Sequence, residues 1–282
     1  MSDAEKTKYF DAHCHLQDKR IIDSVDDIIL HMKESSVCNV VCNGTSPDDW
    51  ESVKQIVKKY SEVLPAYGVH PWYLNAVNDD WKDVLVEYLH SHKYSSVGEC
   101  GLDKNVVSKF SYDLQKSIFS EHIDVANQLN KPVSVHCVKA YQLLFDTLKK
   151  SNLDVPVVIH SFSGSKEMMR QFCKLNVFFS FSGTITRKHS KYMDVLRAVP
   201  KDRTLLETDS PDLLPDKYVL LDSGIDCVGN NVPSNIVLIA DSAAEVLGIG
   251  VEELTERVQG NFERVFKRKS KRDAINHVCT EE

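Results

Sequence analysis

Eight short apolar runs punctuate the chain: Tyr9–His13, Val37–Cys42, Leu64–Gly68, Ser96–Cys100, Val133–Cys137, Val157–His160, Val177–Phe181 and Thr204–Leu206. Runs this short and apolar read as buried strands, and helix-like segments lie between them. The clearest helix starts at Ser46-Pro-Asp-Asp49. There an N-cap serine, a first-turn proline and early acids precede Trp50, Val53, Ile56, Val57 and Tyr60 on one face. Others are expected at Gln115–Leu129, Ser165–Leu175, Ser234–Leu247 and Val251–Phe266. Strand and helix alternating in this way predict an α/β chain folded as a TIM (β/α)8 barrel, with a doubly wound open sheet as the competing topology.

Length and composition fit that expectation. The 282 residues exceed an ordinary domain, yet barrels of this kind fill ~250 residues as one unit. No repeat, low-complexity tract or Pro/Gly-rich linker divides the chain. A single domain over 1–282 is expected, with its core at about 9–266 and a basic, then polar, tail at 267–282. Hydrophobic residues make up 42% and charged residues 27%, enough apolar content to bury a large core. No run approaches the ~18 apolar residues of a membrane span, and the polar start lacks a signal peptide's apolar segment. The expected address is intracellular: cytoplasmic, with the nucleus as the alternative. Eight cysteines are too sparse for a disulfide scaffold, and Cys38 and Cys42 lack a second pair to complete a structural zinc site. The net charge of −7 argues against a broad basic surface for nucleic acid, so any phosphate affinity must be local. The one dense basic run, Lys267-Arg-Lys-Ser-Lys-Arg272, reads as the solvated end of the last helix.

The chemistry concentrates at the ends of the runs. In an extended strand alternate side chains share a face, so Asp11, His13 and His15 point one way while Phe10, Ala12 and Cys14 point the other. Glu99, His136, His160 and Asp209 end or follow later runs. A barrel brings all those ends to one rim, whereas an open sheet scatters them. Imidazole and carboxylate ligands suit zinc, manganese or magnesium, and a carboxylate can bridge two ions ~3.5–4 Å apart. The expected arrangement is two divalent metal ions: His13, His15 and Asp209 on one, His136 and His160 on the other, and Glu99 as the bridge. Asp209 and Glu99 are the expected catalytic carboxylates, with Asp209 accepting the proton of the attacking water. Two ions and two carboxylates leave a formal +2 in an acidic protein, a pocket matched to an anionic phosphoryl substrate.

Neighbouring residues carry secondary roles. Asp11 and Glu207 share the inward parity of adjacent ligands, fitting them to orient a histidine or to join a buried structural network. His70, before Pro71, is placed to touch a phosphate at the rim or to cap a turn. Ser163 and Gly164 precede a helix whose N-terminal amides suit phosphate, or else simply cap it. His31, His90, His92, His122, His189 and His277 fall in helical or loop segments and read as non-ligands.

Phe10-Asp-Ala-His-Cys-His-Leu16, Gly68-Val-His-Pro71, Gly98-Glu-Cys-Gly-Leu-Asp103, His160-Ser-Phe-Ser-Gly164 and Glu207-Thr-Asp-Ser-Pro211 together resemble the TatD family of metal-dependent deoxyribonucleases, part of the amidohydrolase superfamily. The resemblance runs from about Tyr9 to Phe266. It implies a TIM barrel, metal-dependent phosphodiester hydrolysis and, in many members, 3′→5′ exonuclease action on DNA, single-stranded or at 3′ ends. The family's metal positions fall on His13, His15, Glu99, His136, His160 and Asp209. Lys188 and Asn231-Val-Pro-Ser-Asn235 also resemble family elements, and Lys188 joins His70, Ser163 and Gly164 as an expected substrate contact. Three departures bear on substrate preference. Val138 and Lys139 stand where the family often has an arginine, Lys104 where an aromatic is common, and Asp216–Gly229 where a basic segment is usual. The alternative reading is an amidohydrolase that cleaves an amide, ester or lactone in a small molecule, since the same metals activate water for carbonyl attack. A non-catalytic scaffold is disfavoured because every ligand is present.

Overall fold

A computed structural model describes residues 6–222 and 229–268. Most of the basic tail and part of the Asp216–Gly229 stretch therefore lie outside the described residues. The strands are β1 (Tyr9–Cys14), β2 (Val37–Asn43), β3 (Val63–Tyr67), β4 (Ser96–Asp103), β5 (Val133–Val138), β6 (Val157–Ile159), β7 (Val177–Phe181) and β8 (Thr204–Leu206). The helices are α1 (Val25–Glu34), α2 (Pro47–Lys59), α3 (Trp81–His90), α4 (Tyr112–Leu129), α5 (Tyr141–Lys150), α6 (Lys166–Phe172), α7 (Ser190–Ala198), α8 (Lys217–Asp222), α9 (Ile236–Leu247) and α10 (Val251–Phe266).

Each strand pairs in parallel with the next in chain order. The first and last strands also meet. Cys14 bridges Ser210, the Asp209 amide donates to the His13 carbonyl at 2.9 Å, and the His15 amide donates to the Ser210 carbonyl at 2.7 Å. That contact distinguishes the barrel from an open sheet and places the residues after β1 beside those after β8.

Alternation on β1 follows from burial on both faces. Phe10 turns outward onto Phe262 of α10, with ring centroids 5.2 Å apart, which sends Asp11 and His13 inward. The Ser46 start of α2 forms as expected, with the Asp49 carboxylate accepting from the backbone amides of Thr45 and Ser46. This helix buries Trp50, Val53 and Ile56, and the Trp50 indole donates to the Gly68 carbonyl at 3.0 Å. Trp50→Ala would therefore cost about 3–5 kcal/mol, since it opens a cavity and orphans that carbonyl.

The main difference from the expected boundaries is β4, which continues past Cys100 to Asp103. Two glycines permit it. Gly98 and Gly101 have φ of +136° and +148°, and a Cβ at either would lie 2.4 Å from the Ser134 carbonyl oxygen or 2.0 Å from that of His136. Only the missing side chains let β5 come this close while Glu99 is presented at the rim.

Candidate metal centre

The site is built around Glu99, a buried carboxylate whose two oxygens face different histidines. Its Oε2 lies 3.3 Å from His13 Nε2 and 3.4 Å from His15 Nε2. The same two nitrogens stand 3.7 and 3.5 Å from Asp209 Oδ1. Its Oε1 lies 3.0 Å from both His136 Nδ1 and His160 Nε2, and 3.3 Å from His70 Nε2. One carboxylate thus touches two donor sets.

Outer partners fix which ring nitrogen faces inward. His15 Nδ1 donates to the Asn43 carbonyl at 2.8 Å, so its neutral ring turns a bare Nε2 to the centre. His13 Nδ1 meets Ser134 Oγ at 3.1 Å. His136 is held the other way round: its Nε2 donates to Asp103 Oδ2 at 3.2 Å, leaving Nδ1 inward. His160 Nδ1 lies 3.4 Å from Glu207 Oε1, which also accepts from the Ser161 amide at 2.6 Å. His70 Nδ1 accepts from the Trp72 amide at 3.1 Å, so in the neutral ring Nε2 carries the hydrogen and offers it towards Glu99.

The donor chemistry fits divalent cations. His13 Nε2 and His15 Nε2 are 3.1 Å apart, and His136 Nδ1 and His160 Nε2 are 3.2 Å apart. Lone pairs facing one another at that distance, beside ionised carboxylates, repel unless a proton or a metal ion lies among them. Without an ion, protons fill the role. Burial works against charging His15, yet Asp209 and Glu99 overcome it and push the ring up to about 10. His160 rises well above its ordinary value against the same burial, through Glu99 and Glu207. At His70 burial wins and the pKa falls to about 4. Glu99 itself, despite burial, is held well below the usual range by His70, His160 and His13. The carboxylates that favour protons on His15 and His160 would equally favour a divalent ion in their place, with release of those protons.

A cavity of about 760 Å³ opens over these groups. Into it face His15, His70, Glu99, His136, His160 and Asp209, so these expected rim residues converge, with His13 buried directly beneath. Others sit differently. Asp11 touches no imidazole: it accepts from the Thr208 amide at 2.9 Å, from the Thr208 hydroxyl and from the His13 amide at 3.1 Å. It therefore ties β1 to the end of β8 through the main chain. That tie holds the turn in which Asp209 takes φ of +55°, a left-handed conformation tolerated by aspartate but seldom adopted without support.

Ser163, Gly164 and Lys188 do not line the cavity. The Ser163 hydroxyl and amide both engage the Tyr141 hydroxyl, and Gly164 lies against Phe162, whose ring a Cβ would meet at 2.5 Å. Lys188 is drawn away by Glu245 of α9, at 2.9 Å. Conversely, Asp103 and Trp72 belong to the site without having been singled out. Asp103 accepts from the Trp72 indole at 2.7 Å as well as from His136, and these bonds outweigh burial to hold it at about pKa 2. The signal available was position alone, since Asp103 ends the Gly-Leu-Asp segment after Glu99 and Trp72 follows His70-Pro71.

His122, read as a non-ligand, is a buried histidine with both nitrogens satisfied by backbone. Nδ1 donates to the Ile118 carbonyl at 2.7 Å and Nε2 accepts from the Val69 amide at 3.0 Å. Burial alone depresses its pKa to about 4.

A closed parallel barrel carrying histidines and carboxylates at its C-terminal rim defines a metal-dependent hydrolase of the TIM-barrel type. A model of TatD related DNases matches residues 10–267, and the chain belongs to that family. Its curated relatives include the uncharacterized metal-dependent hydrolase YabD of Bacillus subtilis, 29% identical over 92% of this chain and 98% of its own length. The human deoxyribonuclease TATDN3 is 28% identical over 91% of this chain and 93% of its own. Among solved structures, a TatD homolog from Escherichia coli K12 superposes with a TM-score of 0.84 at 24% identity, covering 93% of this chain and 98% of that one.

Proposed function

We propose that the protein is a two-metal deoxyribonuclease that hydrolyses phosphodiester bonds of single-stranded DNA or DNA ends in the 3′→5′ direction. The observation that carries this reading is Glu99, whose oxygens face two separate histidine sets. His13, His15 and Asp209 would hold one ion, His136 and His160 the other, with Glu99 shared. Divalent ions there would supply positive charge for the phosphoryl oxygens and would lower the pKa of a bound water to about 7. The protein's own groups do the rest. Asp209, on the cavity wall, would accept the proton of the attacking water. His70 keeps an N–H aimed into the centre, available to Glu99 or to a phosphate oxygen. Asp103 and Glu207 orient the rings of His136 and His160.

The test is direct. Purified protein is incubated with single-stranded DNA labelled at the 5′ end, with Mg²⁺, Mn²⁺ or Zn²⁺ and with a chelator. A metal-dependent ladder that shortens from the 3′ end is expected. Cleavage of a lactone, ester or amide under conditions that leave DNA intact would replace this reading with the small-molecule hydrolase.

A further inference from the structure

The described residues leave four large hydrophobic side chains prominently exposed: Leu30, Trp72, Tyr73 and Leu114, at 53, 48, 43 and 42%. Two of them are adjacent, and these two border the metal-centre cavity. They stand on the short 3₁₀ turn Pro71–Ala76 that follows β3. The turn is not floppy there: the Trp72 indole N–H is spent on Asp103 and the Trp72 amide on His70. The ring is thereby fixed in direction with its apolar surface left to solvent. Its centroid lies 6.5 Å from the His136 ring and 5.1 Å from that of His70.

The charges around the cavity exclude one way of using this surface. Among the described residues, the lysine and arginine lining it are Lys19 and Arg20, against Asp18, Asp48, Asp49 and Asp212, and Arg20 is already paired with Asp18 and Asp212 at 2.8 and 2.7 Å. Such a rim offers little to a duplex backbone. A rigid, half-exposed indole beside a phosphate-binding centre offers instead a face for an unpaired base, since stacking accepts any base and needs no further hydrogen bond.

We propose that Trp72 and Tyr73 form a stacking platform that binds an unstacked nucleobase next to the scissile phosphate, so that the enzyme selects single-stranded ends without regard to sequence. This rests on the deoxyribonuclease reading. A base in a duplex has both faces covered, so the platform rejects internal paired nucleotides and admits a frayed or single-stranded terminus.

Metal-loaded full-length protein is assayed on short 5′-labelled single strands whose terminal nucleotides are either intact or replaced by abasic tetrahydrofuran residues. Loss of the bases is expected to lower kcat/KM by about 10-fold, mostly through KM. Trp72→Ala should slow both strands somewhat through the lost bond to Asp103, and in addition should erase the difference between intact and abasic strands. Trp72→Phe, which keeps a ring but loses the bond to Asp103, should retain the preference for bases. Tyr73→Ala, which touches neither Asp103 nor the Trp72 bonds, should lower it in part. Equal cleavage of both strands by the wild-type protein would overturn the platform and leave the deoxyribonuclease intact. So would a Trp72→Ala variant slowed equally on both, which would make Trp72 only a support for Asp103. Cleavage of neither strand with any metal would remove the deoxyribonuclease reading and the platform together.

Discussion

The two halves of the centre use the same ligand types but steady them differently. On the β1 side, His15 and His13 are held from outside by neutral groups, the Asn43 carbonyl and the Ser134 hydroxyl, and negative charge is applied from inside by Asp209. On the β5 and β6 side the order reverses. His136 and His160 are backed by carboxylates, Asp103 and Glu207, and Glu99 is the one carboxylate facing them from within. Charge behind an imidazole makes it a stronger donor, whereas charge beside the ion both binds it and can take a proton. On the proposed two-metal reading, the β1 half would serve proton transfer and the other would hold charge.

Glu99 is the group on which this division depends, so its removal should give the largest effect. Glu99→Ala is expected to lower metal content at both positions and activity by about 10⁴-fold. His136→Ala, by contrast, should empty mainly one position. Metal analysis of the two purified variants makes the comparison, and loss of a single equivalent in both would show that Glu99 does not bridge. Asp209→Asn comes next, at about 10³-fold in kcat with the fold preserved, because the amide keeps the shape but accepts no proton. More than a tenth of wild-type activity in that variant would return the proton-accepting role to another group.

The β1 half was legible in the sequence and the other half only in part, for a physical reason. His13 and His15 announce themselves because a strand's two-residue period places both on one face without help from elsewhere. Glu99, His136, His160 and Asp209 could be read because a barrel sends every strand end to one rim. What lies behind those ligands depends on which way each ring is turned. His136 presents Nδ1 where His15 presents Nε2, and that reversal is what turns its Nε2 onto Asp103. Likewise Lys188 looked free for phosphate until the fold brought Glu245 of α9 to it from 57 residues away. Asp11 shared the inward parity of His13 yet acts on backbone amides, which alternation along a strand cannot reveal.

The difference in backing can be tested with one substitution on each side. Asp103→Asn removes the charge behind His136 and is expected to weaken metal binding or activity by about 10- to 100-fold. Ser134→Ala removes a neutral partner of His13 and should cost less than about 10-fold, the net worth of one uncharged hydrogen bond. Titrating metal into both metal-free variants ranks them. Equal losses would mean that charge behind the ring is not what separates the halves.

His122 supplies the remaining control, a histidine as deeply buried as those at the rim but backed by neither kind of carboxylate. Its pKa falls from 6.5 to about 4, so the folded protein keeps it neutral where the unfolded chain would already be charged. Its contribution to stability is fully present above about pH 6.5, declines as pH falls towards 4 and is constant below that. At ~1.4 kcal/mol per pH unit, acidifying from pH 7 to 5 should remove about 2 kcal/mol on account of this residue. His122→Gln can retain both backbone bonds and cannot titrate, so its loss over the same interval should be smaller by that amount. Taking the difference between the two proteins cancels the rim histidines, which titrate in both. Denaturant unfolding at the two pH values measures it, and an equal loss in wild type and variant would show that burial alone does not set the charge of a histidine in this barrel.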